Sequence, residues 1–474
     1  MSIQVFLQGK LLGIEQFVLA PAEVAGQGES LLAGRAHWVT LLTEVLPRAL
    51  LAELGLAKVL LGTSGGGQFL VVLTTESLGK ANAFLESAAA SVARLSGRRL
   101  RLIWAWTENL GDWTLVRRRL AEEMWRCQHT SSAVSFDPFL PDAETMETDY
   151  FLQLGAGTRT AATAGWSPGE PGRVLLESGL HSWTLGSSGE IAVARNTALD
   201  EDGAATADLA TLAGRAQGRP AWGVLRGDVD GFAQRLRRVT TIEEHIQLSM
   251  MFKQFFASEM EVACLAVVDA WRKVSVLYSG GDDFAVYGSW DSLLTLAREI
   301  HRIFHVFADA NLKDLPGPEG KTITMALQVA PEIDTPFAFV YEEAGRNLEA
   351  AKCTAKDCIH LFGKIVEWRQ FNHSNDLKDM MLRMVRELRC PPEFLEELGA
   401  FYREKPSAGR PDRPWRYHRR LGVALGEFKD REVNRLRTAL ISDMVGRGLA
   451  QVKLRPAGLV AVTWARMILE SSHG

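Results

Sequence analysis

The sequence predicts an α+β protein with two ferredoxin-like palm domains, an inter-palm domain and a C-terminal helical domain. Three observations carry that prediction. The hydrophobic pattern switches between a period of two and a period near 3.6 in the order β-α-β-β-α-β, and it does so twice. Each copy holds a glycine-rich tetrapeptide between two short β-prone runs, which is the composition of a tight hairpin. Gly9 and Gly227 are 218 residues apart and Gly65 and Gly280 are 215 apart, as expected of an internal duplication. The resulting boundaries are 1–127 for the first palm, 128–220 for the inter-palm domain, 221–367 for the second palm and 368–474 for the helical domain.

In the first copy, strand Ile3–Gln8 ends at Gly9-Lys10, and helical periodicity runs from about Glu29 to Leu54. The strands Lys58–Leu61 and Gln68–Leu73 enclose Ser64-Gly65-Gly66-Gly67. Helix Leu78–Leu95, strand Leu100–Trp106 and helix Trp113–Cys127 complete the unit. Residues 128–220 are rich in Gly, Ala, Ser and Thr, with acidic patches at Asp142–Asp149 and Asp200–Asp208. They read as a connecting domain of weak strands without assigned chemistry.

The second copy opens on strand 221–228, which ends at a carboxylate. A proline-free helical stretch spans 233–260, and the runs Lys273–Tyr278 and Phe284–Tyr287 form a hairpin around Ser279-Gly280-Gly281-Asp282. Helix Ser289–Asp309, strand Thr322–Val329, helix Phe337–Lys356 and strand Ile359–Phe362 follow, giving helices on one face of an antiparallel sheet. Beyond 368 the chain reads as helical and basic, with a loop around Lys405–Pro414.

With 53 Lys+Arg against 57 Asp+Glu, the net charge of -4 excludes a strongly basic nucleic-acid coat and an acidic tail protein. Residues 401–474 nevertheless carry a local +8. Five scattered cysteines without a C-x-x-C fit neither a disulfide framework nor a structural zinc site. No basic leader and no uncharged apolar span of about 20 residues is present, so a cytoplasmic protein with no membrane partner is expected.

The chemistry concentrates in Gly227-Asp228-Val229-Asp230-Gly231-Phe232 and Tyr278-Ser279-Gly280-Gly281-Asp282-Asp283-Phe284. In a palm, the end of the first strand and the central hairpin lie side by side, so Asp228, Asp282 and Asp283 converge. Like charges in that proximity call for a counter-ion, and oxygen donors suit Mg²⁺ or Mn²⁺. Such metals hold a triphosphate and activate a 3′-hydroxyl for in-line attack on an α-phosphate. Ser279, Gly280 and Gly281 let a nucleotide approach the backbone. Asp230 reads either as a supporting partner or as a cap on the following helix. Lys352 and Lys356, one turn apart on a helix, are placed to neutralise phosphates, or else form a solvated pair. His301-x-x-x-His305 has zinc-helix spacing but no neighbouring Glu at the protease position, so it reads as a helix face. Arg416, Arg419 and Arg420 beside Trp415 and Tyr417 read either as an RNA or partner contact or as a solvated basic face.

The Asp-x-Asp-x-Phe, the Gly-Gly-Asp-Asp hairpin and the helix ending Ala351-Lys352-x-x-x-Lys356-Asp357 resemble the GGDEF class of nucleotidyl cyclases. Two fused palms resemble more closely the large signature subunit of type III CRISPR effector complexes. Gly9-Lys10-Leu11-Leu12-Gly13-Ile14-Glu15-Gln16-Phe17 looks like that family's Gly-Asp-x-Ser-Gly-Ile-Gln-x-Phe, and Gly34-Arg35-Ala36 looks like its Arg-Gly-Arg-Ser. The resemblance implies synthesis of cyclic oligoadenylates from ATP when a guide-RNA complex binds target RNA. It places metal ligands at Asp228, Asp282 and Asp283 and a phosphate contact at Lys352. Other effector subunits, guide RNA and target RNA become the implied partners.

The pattern departs from the family in the first palm. Lys10 stands where Asp228 stands in the second, and Gly67-Gln68 stand for Asp282-Asp283. That palm is expected to be an acceptor-side or structural half, with Ser64, Gly65 and Gly66 against phosphate or ribose. Thr324-Met325-Ala326-Leu327 replaces the family's Ser-Ala-Gly-Ile, and no histidine is followed by Asp, so the nuclease carried by many members is not expected. A stand-alone nucleotide cyclase and a non-catalytic scaffold are the alternative readings.

Overall fold

The computed structural model describes residues 3–22, 26–130, 146–403, 414–425, 430–445 and 454–470. The loop around Lys405–Pro414 and the start of the Asp142–Asp149 patch lie outside them. Two compact units are present: residues 1–212, 227–288 and 292–322 form the first, and 213–226, 289–291 and 323–474 the second.

In the first unit, β1 (Gln4–Leu12), β2 (Leu61–Gly65), β3 (Gln68–Thr74) and β4 (Arg101–Glu108) form a sheet in the order β2-β3-β1-β4. β1 is antiparallel to both its neighbours and is buried on both faces. On one face Phe6, Leu70, Ile103 and Ala105 pack against Trp113, Val116, Leu120 and Met124 of helix Trp113–Thr130. The alternate residues Val5, Leu7 and Val71 are buried as well, the pattern of a strand covered from both sides. β1 does not end before Gly9 as the sequence suggested. Gly9 pairs with Phe69 and Trp104, and a Cβ there would stand 2.2 Å from the Phe69 ring, so the glycine seats an aromatic rather than breaking the strand. Lys58–Leu60 is a 3-10 turn, and β2 begins only at Leu61.

Residues 146–212 pack into the same unit. Helix Thr148–Thr158 crosses helix Gly28–Glu53 at Gly34 and Gly155, where a Cβ on Gly34 would stand 1.9 Å from the Phe151 carbonyl oxygen. β5 (Thr163–Trp166), β6 (Leu175–Leu176) and β7 (His181–Thr184) form a small sheet, β6-β5-β7.

The second palm contributes β8 (Trp222–Val229), β9 (Val274–Gly280), β10 (Asp283–Ser289), β11 (Ile323–Val329), β12 (Cys358–Leu361) and β13 (Lys364–Glu367). Their order is β13-β12-β11-β8-β10-β9. Its last four strands repeat the order of the first palm. Three expectations change here. The sheet is mixed, because β12 returns parallel to β11 after the crossover helix Phe337–Thr354. β13 was not foreseen; it pairs with β12 across Phe362-Gly363, both at positive φ (50° and 72°), a primed turn without the usual Asn or Asp. The stretch 233–260 is not one helix. It breaks after Arg238 at β-branched Val239-Thr240-Thr241, and Thr241 caps a new helix, Ile242–Gln254, by accepting the Glu244 N–H at 3.2 Å. A π-turn at Phe255–Glu259 follows.

In the second unit, helices Trp368–Arg386, Glu393–Arg403, Pro414–Ala424, Arg431–Val445 and Pro456–Leu469 share one apolar core that includes Met381, Phe394, Leu398, Leu421, Leu440 and Ala461. Tyr417 belongs to that core, edge-on to Phe401 at 4.6 Å, and Arg420 pairs with Glu397. Those two residues therefore serve packing, while Trp415 and Arg419 are exposed.

Candidate active site

The two palms share a hydrogen bond that fixes their correspondence residue by residue. Val229 N–H donates to the Asp282 carbonyl at 2.9 Å, and Leu11 N–H donates to the Gly67 carbonyl at 2.8 Å. The offsets are those of the sequence repeat. Lys10 therefore matches Asp228, and Gly67 and Gln68 match Asp282 and Asp283.

β8 carries Asp228 to its last turn of pleat, and the turn Gly281-Asp282 between β9 and β10 carries Asp282 and Asp283. All three carboxylates are half-buried and line one cleft of about 680 Å³. Ser64, Gly65, Gly66 and Gln68 of the first palm's hairpin line the same cleft, as do Arg48, His245 and Lys253. The Tyr278 hydroxyl donates to Asp283 Oδ2 at 3.2 Å. The sequence expectation of carboxylates a few ångströms apart needs a correction. Among the described residues, these three form no group in which one carboxylate oxygen from each lies within 4.8 Å of the others. Three carboxylates facing one cleft still fit a hard divalent cation.

Asp230 leaves the site. It is 2 % exposed, its Oδ2 accepts the Thr322 hydroxyl at 2.8 Å, and its backbone bonds Thr322 and Gly320. Ser279, expected at the nucleotide, is buried and donates its hydroxyl to the Phe256 carbonyl at 2.7 Å, tying the hairpin to the π-turn. Gly280 and Gly281 border the cleft with open space where a Cβ would stand. Lys352 lies half-buried in the last turn of helix Phe337–Thr354, within the second unit. Lys356 is beyond that helix, which ends at Thr354 with Ala355 extended (φ -151°), so the two lysines are not one helical turn apart. Thr324, Met325 and Ala326 are fully buried in β11. His301 and His305 face each other with Nε2 atoms 2.9 Å apart on helix Trp290–Asn311.

The sequence reading missed Glu44, Arg48 and Lys253. Glu44 is 2 % exposed, and its carboxylate receives Arg48 Nη1 at 2.8 Å, the Ser64 hydroxyl at 2.8 Å and Lys253 Nζ at 2.7 Å. Burial pushes the Glu44 carboxyl up, but Lys253, Arg48 and the hydrogen bonds outweigh it and hold the group below the usual carboxylate range. Burial lowers Lys253, and Glu44 offsets part of that. The readable signal was a charged i, i+4 pair, Glu44 and Arg48, inside the mainly apolar run 38–52. His245 also lines the cleft; burial and then Arg117 lower it to about 4, so it is neutral at pH 7.

With the geometry in place, comparison with known proteins is informative. Residues 221–360 match the family described as Cas10/Cmr2, second palm domain. The second palm is thus similar to the palm domain of that family. Over 191 residues the chain is 27% identical to the Cas10/Csm1 single-strand-specific deoxyribonuclease (subtype III-A) of Enterococcus italicus, covering 38% of this chain and 23% of that protein. The Mycobacterium tuberculosis Cas10/Csm1 is 27% identical over 169 residues, covering 32% and 20%. The matches thus span about a fifth of these curated relatives. In fold, the crystal structure of a Csm1-Csm4 cassette with cA4 covers 98% of this chain and 70% of its own, at 16% identity and a TM-score of 0.70. The same cassette with one ATP gives the same values. The chain resembles the large signature subunit of type III CRISPR effector complexes, and the palm matched to that family is the copy that keeps its carboxylates.

Proposed function

We propose that this chain is the nucleotide-polymerising subunit of a type III CRISPR RNA-guided effector complex. In that reading it is a metal-dependent nucleotidyltransferase that makes cyclic oligoadenylates from ATP when the complex binds target RNA. One observation carries the proposal: a single cleft is lined both by Asp228, Asp282 and Asp283 and by the glycine hairpin of a duplicate that has Lys10, Gly67 and Gln68 at the matching positions. Csm1-Csm4 cassettes of the same fold bind ATP and cA4, which supports the substrate and product.

Asp228, Asp282 and Asp283 would hold Mg²⁺ or Mn²⁺, which supplies charge neutralisation at the triphosphate and a more acidic attacking hydroxyl. The chain's own contribution is positioning and electrostatics, without a covalent protein nucleophile. The 3′-hydroxyl oxygen of one nucleotide bonds to the α-phosphorus of the next, the bond to the bridging oxygen breaks, and pyrophosphate leaves. Tyr278 orients Asp283 through its hydroxyl. Gly280, Gly281, Ser64, Gly65 and Gly66 admit phosphate and ribose to the backbone, Ser279 sets the hairpin, and Lys352 and Lys356 supply positive charge for phosphates. The division into palms 1–127 and 221–367, an inter-palm segment 128–220 and a helical domain 368–474 belongs to the same reading. So do the other effector subunits, guide and target RNA as partners, in the cytoplasm.

The test incubates the assembled complex, and then the chain alone, with labelled ATP or GTP, Mg²⁺ or Mn²⁺, and target RNA. Oligoadenylates are expected from ATP only when target RNA is bound, with a loss of at least about a hundredfold in Asp282→Asn/Asp283→Asn. Product from GTP regardless of RNA would indicate a stand-alone cyclase. No product, with the double variant equal to wild type, would leave a scaffold.

A further inference from the structure

A buried ion pair joins the two copies beneath the cleft. Lys253 stands on helix Ile242–Gln254 of the second copy, and Glu44 on helix Gly28–Glu53 of the first. Lys253 Nζ lies 2.7 Å from each Glu44 carboxylate oxygen and donates to Glu44 Oε2 and, at 3.0 Å, to Ser64 Oγ. Ser64 in turn donates to Glu44 at 2.8 Å. A Cβ on Gly65 would stand 3.0 Å from Glu44 Oε1, so the hairpin rests directly on the pair. Arg48 closes the network, bonding Glu44 Oε2 at 2.8 Å and, through Nη2, the Glu190 carbonyl at 2.9 Å.

A desolvated pair of this kind returns little net stability relative to an apolar contact of the same shape, yet loss of one member leaves an uncompensated charge. Its value is geometric. The pair couples the first palm's hairpin to a helix of the second palm, and that hairpin borders the cleft that Asp228, Asp282 and Asp283 also line. The hairpin has few means of holding itself: Gly65, Gly66 and Gly67 are consecutive residues at positive φ, with no side chains to pack.

We infer that Lys253 and Glu44 are positioning residues for nucleotidyl transfer, locking the first palm's glycine hairpin at a set distance from the carboxylates of the second. The inference rests on the function proposed above. A nucleotide seated on a loosened hairpin would still bind but would present its hydroxyl out of line, so turnover is affected more than binding.

The decisive comparison is Lys253→Met against Lys253→Arg in the assembled complex. ATP-dependent kinetics and amide hydrogen exchange are followed together. Lys253→Met is expected to lower kcat by roughly ten- to a hundredfold. KM for ATP should move by less than about threefold. Exchange should rise at residues 61–68 and stay unchanged in helix Trp368–Arg386. Lys253→Arg, which keeps the charge, should recover most of the turnover, and Glu44→Gln should reproduce Lys253→Met. Wild-type kcat in Lys253→Met, or an exchange increase spread over the whole chain without recovery by arginine, would overturn the inference. If wild type yields no product at all, the assigned reaction fails, while unchanged exchange at 61–68 would separately show that the pair does not hold the hairpin.

Discussion

Asp228 and Asp230 are two residues apart on one strand end and read as a single motif, yet burial divides them. Asp228 borders the cleft; Asp230 is enclosed and spends its oxygen on Thr322. The spacing of the motif was visible in sequence, but which carboxylate faces solvent depends on the loop 312–322 folding back over Asp230, and no local pattern announces that. The same limit applies to Ser279, whose hydroxyl turns to a carbonyl on a π-turn that periodicity cannot reveal.

His37 offers a test at this scale. It is 2 % exposed on helix Gly28–Glu53, and burial, followed by the charges of Arg195 and Arg159, lowers it to about 4. The folded state therefore favours neutral imidazole, while the unfolded chain takes up a proton near the ordinary value of 6.5. The stabilisation is complete above 6.5 and is lost as pH falls towards 4, by up to about 1.4 kcal/mol per pH unit for one proton. His245 acts in the same direction. Thermal unfolding between pH 7 and pH 4 should show a falling melting temperature, and His37→Gln should flatten that fall. An identical pH slope in the variant would contradict the assignment.

Elements were legible where their period was strong and their ends were marked by local chemistry. Helix Leu78–Leu95 matches the sequence reading at both ends, and both hairpins sit on their glycines. The failures have identifiable causes. Thr241-x-x-Glu244 is a capping signal hidden inside a continuous helical pattern. β13 follows a turn whose residues carry no turn signature, and the parallel pairing of β12 is set by the crossover helix rather than by its four residues.

Two glycines, both in helices, separate packing from propensity. Gly34 lies against the backbone of helix Thr148–Thr158, whereas Gly79 has open space where a Cβ would stand. Gly79→Ala is expected to raise stability by roughly 0.5–1 kcal/mol through helix propensity. Gly34→Ala should lower it by about 1–3 kcal/mol, the ordinary cost of overpacking. Chemical denaturation of both variants checks the contrast, and equal shifts of the midpoint would contradict the close helix crossing.

For the whole molecule, the duplication was the most legible feature, and the hydrogen bonds Leu11–Gly67 and Val229–Asp282 give it atomic registration. What the sequence could not show was the pairing of Glu44 with Lys253, because the two are 209 residues apart and nothing local joins them. No helix among the described residues is long and apolar enough to cross a membrane. The asymmetry of the copies has a measurable consequence. Titration with Mn²⁺ should find sites that vanish together in Asp228→Asn/Asp282→Asn/Asp283→Asn. Sites that persist in this triple variant would point to the first palm or elsewhere.

The glycines of the first hairpin also bear on whether the two turns are interchangeable. Gly67 holds a φ of +78°, and a Cβ there would stand 2.5 Å from Ile14 Cδ1. Its counterpart, Asp282, is absent from the positive-φ residues. The two copies thus differ in main-chain path as well as in side chains. An aspartate at 67 would be strained by the positive φ, whereas Ile14 Cδ1, the end of a flexible side chain, could turn aside. The two hairpins are therefore not interchangeable by that one substitution, because residue 67 sits in a main-chain conformation that suits glycine.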